Sequence, residues 1–223
     1  MSNEQRRPCA AIIFDLDGTL DDLAAAANAA LRIFGYPPHP PAAYQRMVGN
    51  GVSTLISRAL PAGEREKVGE EGLVALTRTM RGIYADKALQ TTRPYPGVCE
   101  LLAVVRDMDI KSGVLSNKPD AETRLIISHF FSDHPFTAVQ GALPDVPLKP
   151  DPTAALSMAA AFALPPAQIL YLGDSDVDIR TAKAAGMYAV GAAWGFRGKE
   201  ELLLSGADAV CAEALEVVKL LGA

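Results

Sequence analysis

The densest concentration of reactive side chains lies in Asp15-Leu16-Asp17-Gly18-Thr19-Leu20. Two carboxylates two residues apart on extended backbone point to one side and can share a magnesium ion. A carboxylate beside a metal-bound phosphate can also attack phosphorus to give an acyl phosphate, which divides a difficult hydrolysis into two easier steps. The second carboxylate can protonate a leaving alcohol and later deprotonate a water. Gly18 permits a tight turn that brings backbone N–H groups near phosphate oxygens, so Gly18 and Thr19 are the candidate substrate contacts of this loop. An ordinary acidic turn would use the same residues, since D-x-D-G also forms Asx-turns. A calcium loop would need a terminal glutamate on the same short stretch, and the run after Asp21 and Asp22 is alanine-rich and supplies none.

Three further groups carry chemistry. Gly173-Asp174-Ser175-Asp176-Val177-Asp178 crowds acidic and hydroxyl side chains at the opening of a helix, a repulsion that a bound cation would relieve. Asp174 is the better ligand candidate; Asp178 can ligate through water or brace the site. Helix capping by Ser175 or Asp176 explains part of the same cluster, and for Asp176 it is the favoured explanation. Ser116-Asn117-Lys118 offers a hydroxyl, an amide and backbone N–H groups to phosphate oxygens, or alternatively a loop capped by Asn117 and Asp120. Lys149 lies in a proline-stiffened stretch, Pro147-Leu148-Lys149-Pro150-Asp151-Pro152. A solvated surface lysine needs no such rigidity, whereas a cationic head aimed into the carboxylates would neutralise a nucleophile and the developing phosphoryl charge.

These residues need a scaffold that delivers them to one place. Ala10 to Phe14 is a short apolar run ending abruptly in Asp, as a strand buried on both faces would. Similar runs recur at Lys111 to Leu115, Thr137 to Gln140, Ile169 to Leu172 and Tyr188 to Val190. Helical patterns lie between them: Gly97 to Met108, Asp120 to Phe131, Thr153 to Leu164 and Asp178 to Ala185. Strand alternating with helix predicts an α/β fold, a Rossmann-like parallel sheet with helices on both faces. In such sheets ligands sit beyond the carboxyl ends of strands, which selects Asp15, Asp17, Ser116, Asn117 and Asp174.

Residues 21–92 break this pattern. Helical signals run from Leu23 to Phe34, Ala42 to Val48, Val52 to Leu60 and Glu64 to roughly Lys87, without a strand between them. The expectation is an all-helical cap over 21–92, inserted into a core formed by 1–20 and 93–223. Arg46 and Asn50 are its candidate substrate contacts, because a guanidinium can grip a carboxylate bidentately and Gly49 and Gly51 permit a turn at the cap edge. A solvated helix end explains them equally. His39, His129 and His134 fall in no motif.

The chain has 223 residues, 49% hydrophobic and 21% charged, with a formal net charge of -5. That size suits one core domain with a smaller insertion. The acidic balance leaves no footprint for nucleic acid or an anionic membrane, while one lysine and one metal ion in a cleft still allow a small phosphorylated metabolite. Three dispersed cysteines form no zinc pattern and read as reduced thiols. No signal peptide and no apolar run of membrane length is evident, so a cytoplasmic protein, monomer or homodimer, is expected.

Taken together, DLDGTL, LSNK, LKPDP and GDSDVDI, in this order, resemble the haloacid dehalogenase superfamily. The resemblance implies Asp15 as nucleophile, Asp17 as general acid/base, and Ser116 and Lys149 as phosphate ligands. It implies Mg²⁺ as cofactor, held by Asp15, the Asp17 backbone carbonyl and Asp174, with Asp178 nearby. Members that cleave carbon–halogen bonds lack the second aspartate of the first motif, so Asp17 points to a phosphatase. Met47-Val48-Gly49-Asn50-Gly51, Pro94-Tyr95-Pro96-Gly97-Val98 and Asp178-Ile179-Arg180 are similar to the phosphoglycolate phosphatase subgroup. Alternatives are a phosphatase or phosphomutase acting on a sugar phosphate, nucleotide or pyrophosphate, and a non-catalytic binding protein that keeps the fold.

Overall fold

The computed structural model of the chain describes residues 9–16, 24–44, 47, 52–91 and 93–221. Asp17, Gly18, Thr19, Arg46 and Asn50 lie outside the described residues.

Six parallel strands form one sheet in the order β3-β2-β1-β4-β5-β6. They are β1 (Ala11–Phe14), β2 (Lys111–Pro119), β3 (Ala138–Ala142), β4 (Ile169–Gly173), β5 (Tyr188–Ala192) and β6 (Ala209–Cys211). β1 sits in the centre and is fully buried. Its alternate residues feed two layers, as the period-2 geometry of a strand dictates. Ile12 and Phe14 pack with Val98, Leu101, Leu102 and Val105 of α5 (Val98–Asp107) and with Ile126 of α6 (Asp120–Phe130). Ala11 and Ile13 pack with Ala155, Met158 and Phe162 of α7 (Thr153–Phe162) and with Ile179 and Ala182 of α8 (Asp176–Ala184). The i, i+3, i+4, i+7 spacing in α5 is what turns a helix into a one-sided cover.

Between β1 and α5 the described elements are all helices: α1 (Ala24–Ile33), α2 (Pro41–Tyr44), α3 (Val52–Ala59) and α4 (Glu64–Thr91). α4 packs against α1, α3 and α6. Leu55, Ile56, Leu76 and Met80 continue the apolar layer that starts at Ile12 and Phe14. Tyr44 seals the α1–α2 corner by donating to Asn28 Oδ1 at 2.7 Å. Gly69 breaks α4 near its start with φ 64°, a left-handed value that only glycine adopts at little cost. α9 (Lys199–Leu204) and α10 (Val218–Leu221) complete the far edge.

Several boundaries differ from the sequence pattern. β2 continues through Ser116 and Asn117 to Pro119, with a register shift against β3 between Leu115 and Pro119, so these two residues lie within an irregular strand. The run Asp178 to Ala185 begins two residues earlier, at Asp176, because Ser175 is the N-cap. β6 carries too short an apolar run to register in the pattern. The three histidines are structural: His39 and His134 hydrogen-bond Ala59 O and Ser112 Oγ, and His129 packs edge-on against Phe130. All three cysteines lie outside any disulfide. Among the described residues, no helix is long and apolar enough to cross a membrane.

Candidate active site

The winding reverses between β1 and β4: successive strands first move to one side of β1, then return to its other side. The crevice at that reversal is where a parallel sheet presents its strand-end residues to a ligand. Asp15 follows β1 and its N–H donates to Leu172 O of β4 at 2.8 Å. Asp174 follows β4 directly.

Asp178 reaches the same point from the first turn of α8. Ser175 and Asp178 form a capping box, with the Ser175 hydroxyl donating to Asp178 Oδ2 at 2.5 Å and the Asp178 N–H returning to Ser175 Oγ. Gly173 lets the helix approach this closely. A Cβ there would stand 2.3 Å from Asp178 Cβ.

Lys149 arrives from the loop before α7 and is buried, 8% exposed. Its ammonium donates to Asp15 Oδ1 at 2.6 Å, Asp178 Oδ1 at 2.7 Å and Leu115 O at 3.2 Å. Asn117 fixes that loop to β2. Its amide donates to Lys149 O at 3.1 Å and its Oδ1 accepts the Lys149 N–H at 2.9 Å. The Asn117 side chain, expected at substrate, is thus engaged in placing the lysine. Ser116 is buried at the same strand end and its Oγ accepts the Lys118 N–H. Asp176 is half exposed and pairs with Arg180, apart from the cluster.

One contact left no trace in residue types. The Phe196 N–H, in the loop after β5, donates to Asp174 Oδ2 at 2.5 Å. The loop Trp194-Gly195-Phe196 carries no side chain that points to this role, because a backbone donor has no side-chain signature.

The electrostatics define what the cluster needs. Carboxylate oxygens of Asp15, Asp174 and Asp178 lie within 4.8 Å of one another, and all three residues are buried. Burial opposes the Lys149 charge, but Asp15 and Asp178 more than offset it and hold its pKa well above the ordinary lysine value. Burial, followed by the charges of Asp15 and Asp178, pushes Asp174 well above the usual carboxylate range, against the pull of the Phe196 N–H and Lys149. With all three ionised, three carboxylates of this set would face one ammonium in a desolvated place, the imbalance that, after burial, raises Asp174. A divalent cation with a preference for hard oxygen donors matches both the charge and the donor type. Asp178 has both oxygens engaged, by Lys149 and Ser175, and so braces the cluster.

Comparison with known proteins agrees with this geometry. The family model described as haloacid dehalogenase-like hydrolase matches residues 12–192. The chain belongs to this family. It is 31% identical over 214 residues to a phosphoglycolate phosphatase of Mannheimia succiniciproducens, covering 93% of this chain and 96% of that one. It is 33% identical over 207 residues to a phosphoglycolate phosphatase of Rhodospirillum rubrum, covering 90% and 86%. Among solved structures, a candidate phosphoglycolate phosphatase from Lactobacillus delbrueckii subsp. bulgaricus superposes with a TM-score of 0.88 at 25% identity, over 97% of this chain and 99% of that one. This haloacid dehalogenase-like chain is therefore a phosphoric monoester hydrolase, similar to the phosphoglycolate phosphatases.

Proposed function

We propose that the protein hydrolyses 2-phosphoglycolate with Mg²⁺, through a phosphoaspartate on Asp15. The observation that carries this reading is the buried contact of Asp15 Oδ1 with the Lys149 ammonium at 2.6 Å, beside Asp174 and Asp178. An ammonium at that distance offsets the charge of the Asp15 carboxylate, the group this reading makes the nucleophile. The names of the relatives at 31% and 33% identity support the substrate.

In this mechanism a carboxylate oxygen of Asp15 attacks phosphorus, an O–P bond forms, and the bond from phosphorus to the ester oxygen breaks. Asp17 gives its proton to the departing glycolate oxygen, then takes one from the water that attacks phosphorus; the bond from phosphorus to the Asp15 oxygen breaks, which restores the carboxylate and releases inorganic phosphate. Lys149 and the Ser116 hydroxyl hold phosphoryl oxygens, with Gly18 and Thr19 closing the loop around them. Asp15, Asp174 and the Asp17 carbonyl would hold magnesium, which would supply charge neutralisation for the phosphoryl group. Arg46 would grip the carboxylate of phosphoglycolate, and Asn50 its edge. The 21–92 insertion serves as the cap that excludes water. Every group named belongs to one chain, so a monomer or either half of a homodimer suffices. A cytoplasmic setting accords with three cysteines outside disulfides.

The test is a panel of small phosphate monoesters including 2-phosphoglycolate and sugar phosphates, assayed with Mg²⁺ and with excess chelator. The expected result is the highest kcat/KM on 2-phosphoglycolate, abolished by chelation. Asp15→Asn should lower kcat on the order of 10³-fold or more. Full activity in that variant would remove the mechanism, and preference for another ester would remove the substrate alone.

A further inference from the structure

Ser116 and Lys149 arrive at the site on separate parts of the chain, one at the end of β2 and the other in the loop between β3 and α7. Asn117 joins them. Its side-chain amide donates to Lys149 O at 3.1 Å, and its Oδ1 accepts the Lys149 N–H at 2.9 Å. One primary amide thus meets the donor and the acceptor of a single residue, as the opposite residue of an antiparallel strand would. Two bonds of this kind fix both how far Lys149 stands from β2 and how its backbone is turned.

The loop that carries the lysine depends on such an anchor. Pro147, Pro150 and Pro152 supply it with no N–H. The backbone bonds from Val146 N–H to Leu143 O and from Asp151 N–H to Leu148 O close within the loop itself. On the other side, the register of β2 against β3 shifts between Leu115 and Pro119, and Asn117 lies inside that shift.

Placement matters more at Lys149 than at an ordinary loop residue. Its ammonium reaches acceptors on three elements: Asp15 after β1, Asp178 in α8 and Leu115 in β2. Both Asn117 bonds go to the lysine backbone, so every N–H of the ammonium stays available to these acceptors and, with substrate bound, to a phosphoryl oxygen. A displacement of about 1 Å at such a group can cost about 10²-fold in rate.

We propose that Asn117 is a positioning residue: its paired bonds to Lys149 set the ammonium's place relative to Ser116, one residue away, so that the two phosphoryl-binding groups act as one unit. The inference rests on the hydrolytic reading above. It gives the amide a part in turnover without contact with substrate.

The test compares Asn117→Ala and Asn117→Asp with wild type on whichever panel monoester the wild type hydrolyses fastest with Mg²⁺, well below the melting temperature of each protein. Alanine removes both bonds. Aspartate keeps the shape and the acceptor for the Lys149 N–H, but turns a lone pair toward Lys149 O where the donor stood. In both variants kcat per folded enzyme should fall about tenfold or more, with KM within about twofold of wild type, because the lysine's charge is used most in the transition state. A rise in KM at unchanged kcat would mean that Asn117 touches substrate directly, and overturns the proposal. A lower melting temperature with kcat of the folded enzyme retained would mean a merely structural anchor, and overturns it too. Should the alanine variant fail to fold, the aspartate variant decides by the same numbers. A wild type that hydrolyses no monoester overturns the hydrolytic reading, and this inference with it, before any variant is made.

Discussion

Lys149 is the residue on which the balance of the site turns. Its removal leaves Asp15 and Asp178 as buried carboxylates facing each other and Asp174. Truncating one partner of a buried ion pair costs about 3–5 kcal/mol, because the remaining charge keeps its desolvation penalty. Lys149→Met is therefore expected to lose stability on this scale in metal-free buffer, measured by denaturant unfolding, and to recover part of it when Mg²⁺ is added. An equal loss in both buffers would argue that cation and lysine do not share the same carboxylates. At this scale the sequence was largely legible. Asp15, Asp174, Asp178, Ser116 and Lys149 were each picked from motifs and strand ends, and the fold gathers them at one end of the sheet. What residue types concealed was partnership: Asn117 turns to the backbone of Lys149, and Asp174 is held by the Phe196 N–H.

Among the elements, α8 is positioned by its own first turn and by the absence of a side chain beneath it. Gly173→Ala would place a methyl carbon 2.3 Å from Asp178 Cβ, a gap that no rotamer change can open because the neighbour is itself a Cβ. Overpacking of this kind costs about 1–3 kcal/mol and here must move α8, and with it Asp178, off the lysine. The expected outcome is a lower melting temperature together with a loss of activity that added Mg²⁺ does not restore; a variant with wild-type kcat would show that Asp178 tolerates displacement. The strands and helices around this point were visible as alternating apolar runs and helical periods. Their ends were not. β2 runs on through polar Ser116 and Asn117 because backbone pairing, which no hydropathy pattern reports, continues past the apolar stretch. β6 is three residues long, too few for a period to emerge.

For the whole molecule, the cluster of buried carboxylates at the crevice predicts a stability that depends on cation concentration. Any ion that binds the folded chain and not the unfolded one stabilises by mass action, about 2.7 kcal/mol when present at a hundred times its dissociation constant. Mg²⁺ is expected to raise the melting temperature of the wild type and chelator to reverse the rise, while Asp174→Asn should blunt the response. Identical melting curves with and without Mg²⁺ would separate this cluster from cation binding. The α/β architecture was legible, and so, among the described residues, were the helices between β1 and α5, since the switch from alternating elements to helix alone spans many residues.

Asp15 and the lysine that pairs with it are 134 residues apart in the chain, and Asp178 comes later still. A ribosome that has just passed β1 has therefore made Asp15 but neither the lysine that holds it nor the helix that braces the cluster. A chain interrupted before α8 contains the first motif and no working centre, so competence for phosphoryl chemistry arrives late in synthesis. Recovery of turnover during refolding is thus a direct clock for the moment at which β4 and α8 close against β1.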